Sequence, residues 1–534
     1  MMNQVKLLDC TLRDGGYVND WHFGHETMIS VLERLVGSGI DLIEVGFLDA
    51  RRPYDPDRSI FPDTESAGRI YSDVNKKSSI ILGMIDYGTC PIENIQPCKD
   101  SYLDGIRVIF KKEIMRDALH FVKQIKDLGY IVYANCVSIT SYSDDELKVL
   151  IDEINKIKPN AVAMVDTYGL LHQEGLVKIF DIMDTLLDPS IQLAYHAHNN
   201  FQMGYANGIE FLSRNTARTL VVDGTLYGMG KSAGNTPLEL LSMYMNEHFG
   251  KKYDISLQLD AIDMNLLDIY QRSPWGYKPF FFIAASQGCH PNYVSFLMNK
   301  GTLSMKAIQD LLSRLTGDKK LLYDQKLIER LYLEYQTNEC DDKEARAALR
   351  TLLEGREILV LGPGKSVKSH LPSIHSFIRL HSPVVIAINS IPEEIPVDYL
   401  FATNNKRYTR LLAELVKPQN TEIKLVATSN LSCVNKNFSF VINYGSLIDA
   451  STDIPDNSLI MLLRLLLSMN VGAVSLAGFD GYTHTDSNYL NAEMEYSFVH
   501  DKVDYLNSYM TDFLQTHQAD LSLSFVTPSG YEKK

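Results

Sequence analysis

Apolar residues in the first 250 positions gather into short β-rich runs, each followed by a stretch with helical periodicity. The runs are Val5–Asp9, Leu42–Gly46, Ile80–Ile85, Gly105–Ile109, Ile131–Asn135, Ala161–Asp166, Gln192–His196 and Thr219–Asp223, and their starts lie 25 to 38 residues apart. That interval suits a strand, a loop and a crossover helix. Over Asp117–Gly129, Ala118, Phe121, Val122, Ile125 and Leu128 share one helical face, with Gly129 where a C-terminal cap is expected. Eight such units in about 250 residues is the size of a (β/α)₈ TIM barrel, whereas a doubly wound open sheet would normally use fewer strands. The pattern predicts the barrel.

Beyond it the rhythm changes twice. Leu257–Tyr270, Leu303–Leu315 and Gln325–Tyr335 carry apolar faces of helical period, punctuated by Trp275–Pro279 and Gly288–Asn292. The charged segment Lys343–Gly355 reads as a boundary helix. From Glu357 a strand runs into Gly362-Pro363-Gly364-Lys365-Ser366, and further strands are predicted at Val384–Ile388, Tyr399–Thr403, Lys424–Ala427, Phe440–Ile442 and Ala473–Ala477. The expected organisation is therefore α/β throughout: a barrel over 1–250, a helical cap or extension over 251–355, and an open, Rossmann-like sheet over 356–534. The glycine turn lacks the spacing of a P-loop. It is either a phosphate cradle at a helix N-terminus or simply a tight turn.

Composition narrows the partners. The 534 residues include 51 Lys and Arg against 66 Asp and Glu, a formal charge of −15, with no basic cluster. Nucleic-acid binding needs concentrated positive charge, so none is expected. No apolar run reaches the length that spans a bilayer, and the first residues read as a strand and not as a signal peptide. Seven scattered cysteines, Cys10, Cys90, Cys98, Cys136, Cys289, Cys340 and Cys433, form no C-x-x-C pair. Reduced thiols and a cytoplasmic location are expected, without a zinc ribbon.

The strand ends carry the candidate chemistry, because active sites of such barrels lie at the C-terminal ends of their strands. His196 and His198 stand two apart on a strand, so both imidazoles point to one side and can share a metal; alternatively they are merely hydrogen-bonded. Asp14 would complete a 2-His-1-carboxylate set that leaves positions open for a bidentate oxo-acid, unless it only caps a loop. Asn235 either caps the helix beyond it or also lies next to the metal. Arg13 is a fixed cation suited to an enolate oxygen, or a surface arginine. Glu44, inside an apolar strand, must be paired if buried, and an Arg13–Glu44 pair would satisfy both. Arg107 and Asn135, on the fourth and fifth strands, are expected to meet substrate. Asp166 and Asp86 are expected to accept hydrogen bonds from histidine or backbone groups near the metal. Cys10 and Cys136 read as packing residues.

Thr11-Leu12-Arg13-Asp14-Gly15, Ile43-Glu44-Val45-Gly46, His196-Ala197-His198-Asn199-Asn200 and Ala233-Gly234-Asn235-Thr236-Pro237-Leu238-Glu239 stand in the order of the DRE-TIM metallolyases. The chain resembles that superfamily, whose barrel is the HMGL-like or pyruvate carboxyltransferase domain, and looks most like its 4-hydroxy-2-oxovalerate aldolases. The resemblance implies a divalent metal on Asp14, His196 and His198, Mn²⁺ or Mg²⁺ with Zn²⁺ or Co²⁺ admissible. It implies that Arg13 stabilises a pyruvate enolate, that Glu44 supports Arg13, and that Asn235 lies at the metal. Tyr293, in Tyr293-Val294-Ser295-Phe296-Leu297, resembles the aldolases' active-site tyrosine and is a candidate acid/base; a core tyrosine is the alternative. The sequence departs from the aldolases at Tyr17, where they carry a histidine base. The loop Gly228–Asn235 contains no cysteine, which disfavours a CoA lyase. Leu361–Ser366, Asn389 and Val474–Asp480 faintly resemble bacterial sialyltransferase-like and motility-accessory Rossmann domains, which implies a nucleotide or sugar-nucleotide ligand.

The expected function is a metal-dependent pyruvate aldolase acting on a small oxo-acid and an aldehyde, as a homo-oligomer. Two alternatives stand beside it. One is an acyl-CoA-dependent Claisen condensation on the same barrel; the other is a non-catalytic scaffold with a nucleotide-binding C-terminal domain.

Overall fold

The computed structural model describes residues 4–300, 303–336, 340–431, 438–449, 452–484, 487–490 and 498–532. Cys433 lies outside them; the other six cysteines are free thiols. Eight parallel strands, Val5–Asp9, Leu42–Leu48, Ile80–Asp86, Gly105–Phe110, Ile131–Cys136, Ala161–Asp166, Gln192–Ala197 and Leu220–Gly224, pair in sequence order. The first pairs with the second (Leu8 beside Leu42) and with the eighth (Val5 beside Leu220), which closes the barrel. A closed parallel barrel buries both faces of every strand, hence the near-continuous apolar runs. Leu7, Ile43, Ile81, Ile106, Val132, Val162, Leu193 and Val222 pack outward in the large core shared with the helices. Their neighbours in sequence, including Leu8, Leu42, Leu82, Tyr133, Ala163, Ala194 and Val221, fill the barrel interior.

Helices follow seven of the eight strands: His25–Ser38, Thr64–Tyr71, Met115–Asp127, Asp144–Ile157, Gln173–Leu186, Gly204–Ser213 and Leu238–Phe249. The third strand departs from the predicted rhythm. Only the 3₁₀ turns Ile92–Asn94 and Cys98–Asp100 join it to the fourth. Pro91 and Pro97 stand at the entry of these turns, and a proline, lacking an N–H, cannot sit inside a helix without cost. The chain then continues through Ile255–Ala261, a π turn at Ile262–Leu266, and Leu267–Arg272. Their Ala261, Leu266 and Ile269, with Trp275, join the outer core of the barrel.

The chain divides into two compact units, Met1–Pro291 and Asn292–Lys534, so the helices of 251–355 are shared between them. Pro279–Ser286 and Pro291–Asn299 are also helical; their prolines occupy first-turn positions, where the missing N–H costs nothing. The second unit holds a parallel seven-stranded sheet. Across it the strands run Phe440–Ile442, Lys424–Thr428, Tyr399–Ala402, Val384–Ile388, Glu357–Leu361, Ala473–Ala477 and Ser524–Phe525. One face packs Ile358, Val360 and Ile386 against helices Lys343–Leu353, Ser458–Leu467 and Val503–Thr516. The other packs Leu359, Leu361 and Val385 against Leu371–His381 and Asn405–Leu415. No helix among the described residues is long and apolar enough to cross a membrane.

Close to the barrel mouth, the pairing of the second and third strands shifts register between Glu44 and Phe47. Gly46 makes this possible: its φ is +154°, and an added Cβ would stand 2.0 Å from the Ser59 carbonyl oxygen. Gly46→Ala is expected to cost about 2–4 kcal/mol. Both tryptophans, Trp21 and Trp275, belong to the first unit, so a urea titration followed by tryptophan fluorescence reads that unit alone and should show an earlier midpoint.

Candidate metal centre

The alternation of the barrel strands decides which polar residues meet. Leu42, Tyr133, Ala194 and Val221 face the interior, so Glu44, Asn135, His196 and Asp223, two positions further along, face it as well. Arg107 is fully buried on the fourth strand. Above an apolar floor, these side chains form a continuous charged layer. Arg13 donates from Nε to Glu44 Oε2 at 2.6 Å and from Nη1 to Asp14. Arg107 lies 3.7 Å from the other Glu44 oxygen and donates from Nη2 to Asp223 Oδ2 at 2.6 Å. With its amide oxygen turned toward Arg107, Asn135 accepts from Nη2 at 2.8 Å and Nε at 3.2 Å. Asp223 also holds His196 Nδ1 at 3.0 Å. The chain of contacts therefore runs Asp14–Arg13–Glu44–Arg107–Asp223–His196.

That last contact leaves His196 Nε2 facing Asp14 Oδ2 at 3.7 Å, with His198 Nε2 at 4.0 Å from the same oxygen. The candidate ligand atoms of Asp14, His196 and His198 lie within 4.8 Å of one another, and all three residues are buried. Burial opposes the charge on Asp14, yet Arg13, His198 and His196 hold its carboxyl well below the usual carboxylate range. Burial pushes the His198 imidazole down to about 4, so it is neutral, as a ligand must be. Asn235 donates to Asp14 Oδ1 at 2.9 Å and to the Met229 carbonyl at 3.1 Å. Its buried Oδ1, like His198 Nδ1, has no hydrogen-bond partner among the described residues. Gly230 makes room for this arrangement, since a Cβ there would stand 2.2 Å from Asn235 Nδ2 and 2.9 Å from Asp14 Oδ1.

The donor set fits a divalent cation. Three buried carboxylates, Asp14, Glu44 and Asp223, face two guanidiniums, which leaves the layer negative. A bound cation would correct that imbalance, and the His196–Asp223 hydrogen bond is the type of contact that orients a metal-ligating imidazole. Cys10, His196 and Asp223 also cluster, but the His196 Nδ1 and Asp223 Oδ2 atoms are already bonded to each other. Burial pushes the Cys10 thiol well above its ordinary range, so it stays protonated.

The other sequence candidates are placed as follows. Asp166 accepts from the Leu170 and Leu171 N–H groups at 2.8 and 3.0 Å, which ties down the loop after the sixth strand; burial pushes its carboxyl up to about 6. Tyr293 belongs to the second unit. Its hydroxyl lies 2.7 Å from both the Lys319 and Leu322 carbonyls and accepts from Asp324 N at 3.0 Å. Tyr17 packs edge-on to Trp21, and the Lys231 ammonium lies over its ring. Sequence reasoning gave Asp223 no role. The signal was there: a carboxylate closing an apolar run at an inward position, the same feature that singled out Glu44.

Fold and site together define a parallel (β/α)₈ barrel with a buried 2-His-1-carboxylate set at its C-terminal mouth. Residues 4–265 match the HMGL-like family, and this part of the chain is an HMGL-like domain. A 4-hydroxy-2-oxovalerate aldolase of Marinomonas sp. is 27% identical over 257 residues, covering 46% of this chain and 72% of that protein. A 2-isopropylmalate synthase of Saccharolobus solfataricus is 24% identical over 265 residues, covering 47% and 67%. The N-terminal domain of a putative aldolase from Bacteroides vulgatus, a solved structure, aligns at 23% identity with a TM-score of 0.46, covering 55% of this chain and 96% of that one.

Asp223→Asn weakens the bond that orients His196 and should lower Mn²⁺ affinity about 10–100-fold, read by titration of the purified protein with Mn²⁺. His198→Ala should abolish stoichiometric binding in the same titration.

Proposed function

We propose that the barrel of this HMGL-like enzyme is a divalent-metal-dependent pyruvate aldolase of the 4-hydroxy-2-oxoacid type, making or breaking a carbon–carbon bond through a pyruvate enolate. The observation that carries the reading is Arg13, pinned between Glu44 and Asp14 beside the two imidazoles. Asp14, His196 and His198 would hold Mn²⁺ or Mg²⁺, which when bound supplies Lewis acidity toward the carbonyl and carboxylate oxygens of a 2-oxo-acid.

The protein's own part is electrostatic. Arg13 spends Nε on Glu44 and Nη1 on Asp14, while its Nη2 carries no hydrogen bond among the described residues. A guanidinium fixed at two points and free at a third is a preorganised donor for an oxygen that gains negative charge in the reaction. Although burial opposes it, Glu44 and Asp14 hold Arg13 even more firmly protonated than usual, so it never acts as the base. Glu44 and Arg107 act behind it: each satisfies a charge whose displacement would move the guanidinium. Asn135 reaches the site through Arg107 in the same way.

The kinship with a 4-hydroxy-2-oxovalerate aldolase supports this chemistry. The isopropylmalate synthase relative, at similar identity, supports a Claisen condensation on the same barrel as the second reading. The two separate in a thiol-release assay with acetyl-CoA, since an aldolase frees no CoA.

The enzyme with Mn²⁺ or Mg²⁺ is expected to exchange the C3 protons of pyruvate for deuterium, followed by NMR, and EDTA should stop the exchange. Arg13→Lys should slow it about 10²–10³-fold while leaving Mn²⁺ binding in place. Protein that binds Mn²⁺ yet exchanges no C3 protons with either metal would sink the enolate reading.

A further inference from the structure

Above the charged layer of the barrel stands a cation that none of its contacts accounts for. The loop after the eighth strand places Lys231 directly against the candidate metal ligand Asp14. Its backbone N–H donates to Asp14 Oδ1 at 3.4 Å, and its carbonyl accepts from Gly234 N at 3.0 Å. Held on both sides, the residue sends its ammonium over the ring of Tyr17, 5.4 Å from the centre. Among the described residues this ammonium has neither a hydrogen bond nor an ion pair. Burial opposes its charge and Asp14 supports it, but Asp14 is already committed to Arg13 and Asn235. A ring face attracts an ammonium far less than a carboxylate or phosphate does.

The neighbourhood supplies no other counter-charge. The acids on that side of the mouth, Asp49 and Asp86, face Arg51 and Lys111 and not Lys231. His290, half-buried, faces the two lysines: burial together with the ammoniums of Lys231 and Lys111 pushes its imidazole down to about 4, so it is neutral at neutral pH. The Tyr17 hydroxyl has no hydrogen-bond partner among the described residues, and a phenol keeps its proton at neutral pH. The order of the cations follows the path to solvent. Arg13 lies over the ring of Phe47 at 5.7 Å, and Phe47 meets Tyr17 edge-on with ring centres 6.1 Å apart. Arg13 and Lys231 therefore stand over neighbouring rings. Arg13 is buried, Lys231 half-buried, and Lys111, just beyond the fourth strand, exposed and without an ion pair among the described residues.

We propose that Lys231 is a specificity residue that binds a second negative group, carboxylate or phosphate, on the acceptor aldehyde, so that the barrel takes an anionic aldehyde. The inference rests on the pyruvate-enolate reading above. Pyruvate carries a single carboxylate, which that reading spends beside Arg13 and the metal ligands; a further unpaired cation on the solvent side serves the other reactant. In the addition, C3 of pyruvate loses a proton and bonds to the aldehyde carbon, and the aldehyde oxygen ends as a hydroxyl carrying one proton. The step balances without another reactant. Lys231 exchanges no proton in it; the ammonium holds the far end of the aldehyde by a charge-assisted hydrogen bond.

The test is calorimetric titration of the full chain, loaded with Mn²⁺, with 2-oxo-acids of product length that differ only in their tails. 2-Oxovalerate and 2-oxohexanoate end in a methyl, 2-oxoglutarate and 2-oxoadipate in a carboxylate, and 2-oxo-5-phosphonopentanoate in a phosphonate. At least one anionic tail should bind about tenfold or more tightly than the methyl tail of the same length. Preference for the carboxylate identifies an aldehyde acid as acceptor, and preference for the phosphonate a phosphorylated aldehyde. Lys231→Met should erase the preference and Lys231→Arg should keep most of it; Lys231→Gln takes the place of Lys231→Met should circular dichroism show that variant misfolded. The proposal is overturned if all tails bind alike in wild type, if a folded neutral variant keeps the preference, or if that variant weakens every 2-oxo-acid equally, which would assign Lys231 to their common head. Pyruvate C3 exchange on the same samples judges the enolate reading separately: its loss alongside an intact tail preference sinks that reading and leaves Lys231 an anion anchor.

Discussion

Everything at the barrel mouth depends on one buried chain of charge, Asp14–Arg13–Glu44–Arg107–Asp223–His196. Charges removed from water are costly, and the cost is recovered only when each is paired with good geometry. Here every member has a neighbour of opposite sign or a hydrogen-bonding partner, so none can move without stranding another. The same constraint that makes the layer expensive makes it rigid. The guanidinium of Arg13 and the imidazole of His196, oriented by Asp223, are thereby held in fixed positions beside Asp14.

The two units solve one physical problem in different ways. In both, polar residues collect where parallel strands end, because pairing stops there while the strand interiors are buried on both faces. In the closed barrel the strand ends form a ring, and inward side chains from opposite strands reach one another: Arg107 and Asp223 meet across 116 residues. In the open sheet the ends form a line. A concavity arises only where the strand order reverses, and its polar groups come from loops and helix starts and not from the strands themselves.

Much of the fold was legible. The eight barrel runs match the observed strands to within two residues at either end, because a strand buried on both faces writes an apolar run that needs no context. The missing helix after Ile80–Asp86 was not legible from the repeat; the prolines at 91 and 97 held that information locally, and the regular spacing of the other units masked it. Trp275–Pro279 and Gly288–Asn292 read as breaks between helices, yet Pro279 and Pro291 open the helices Pro279–Ser286 and Pro291–Asn299. A proline in the first turn starts a helix as readily as an interior one ends it.

Residue identity and alternation along the strands determined by themselves that His196 and His198 point to one side and that Glu44, if buried, had to be paired. The Arg13–Glu44 pair was legible in the sequence; that Arg107 lies beside Glu44 as well and serves Asp223 and Asn135, only the closed barrel decided, because closure sets which inward side chains stand opposite one another. The glycine turn at 362–366 makes the same point in the second unit. Its sequence allowed a phosphate cradle, but Asp480, 114 residues away from Ser366, fills that helix start. Local chemistry states what a residue can bind; the packing of distant strands decides what is near enough to be bound.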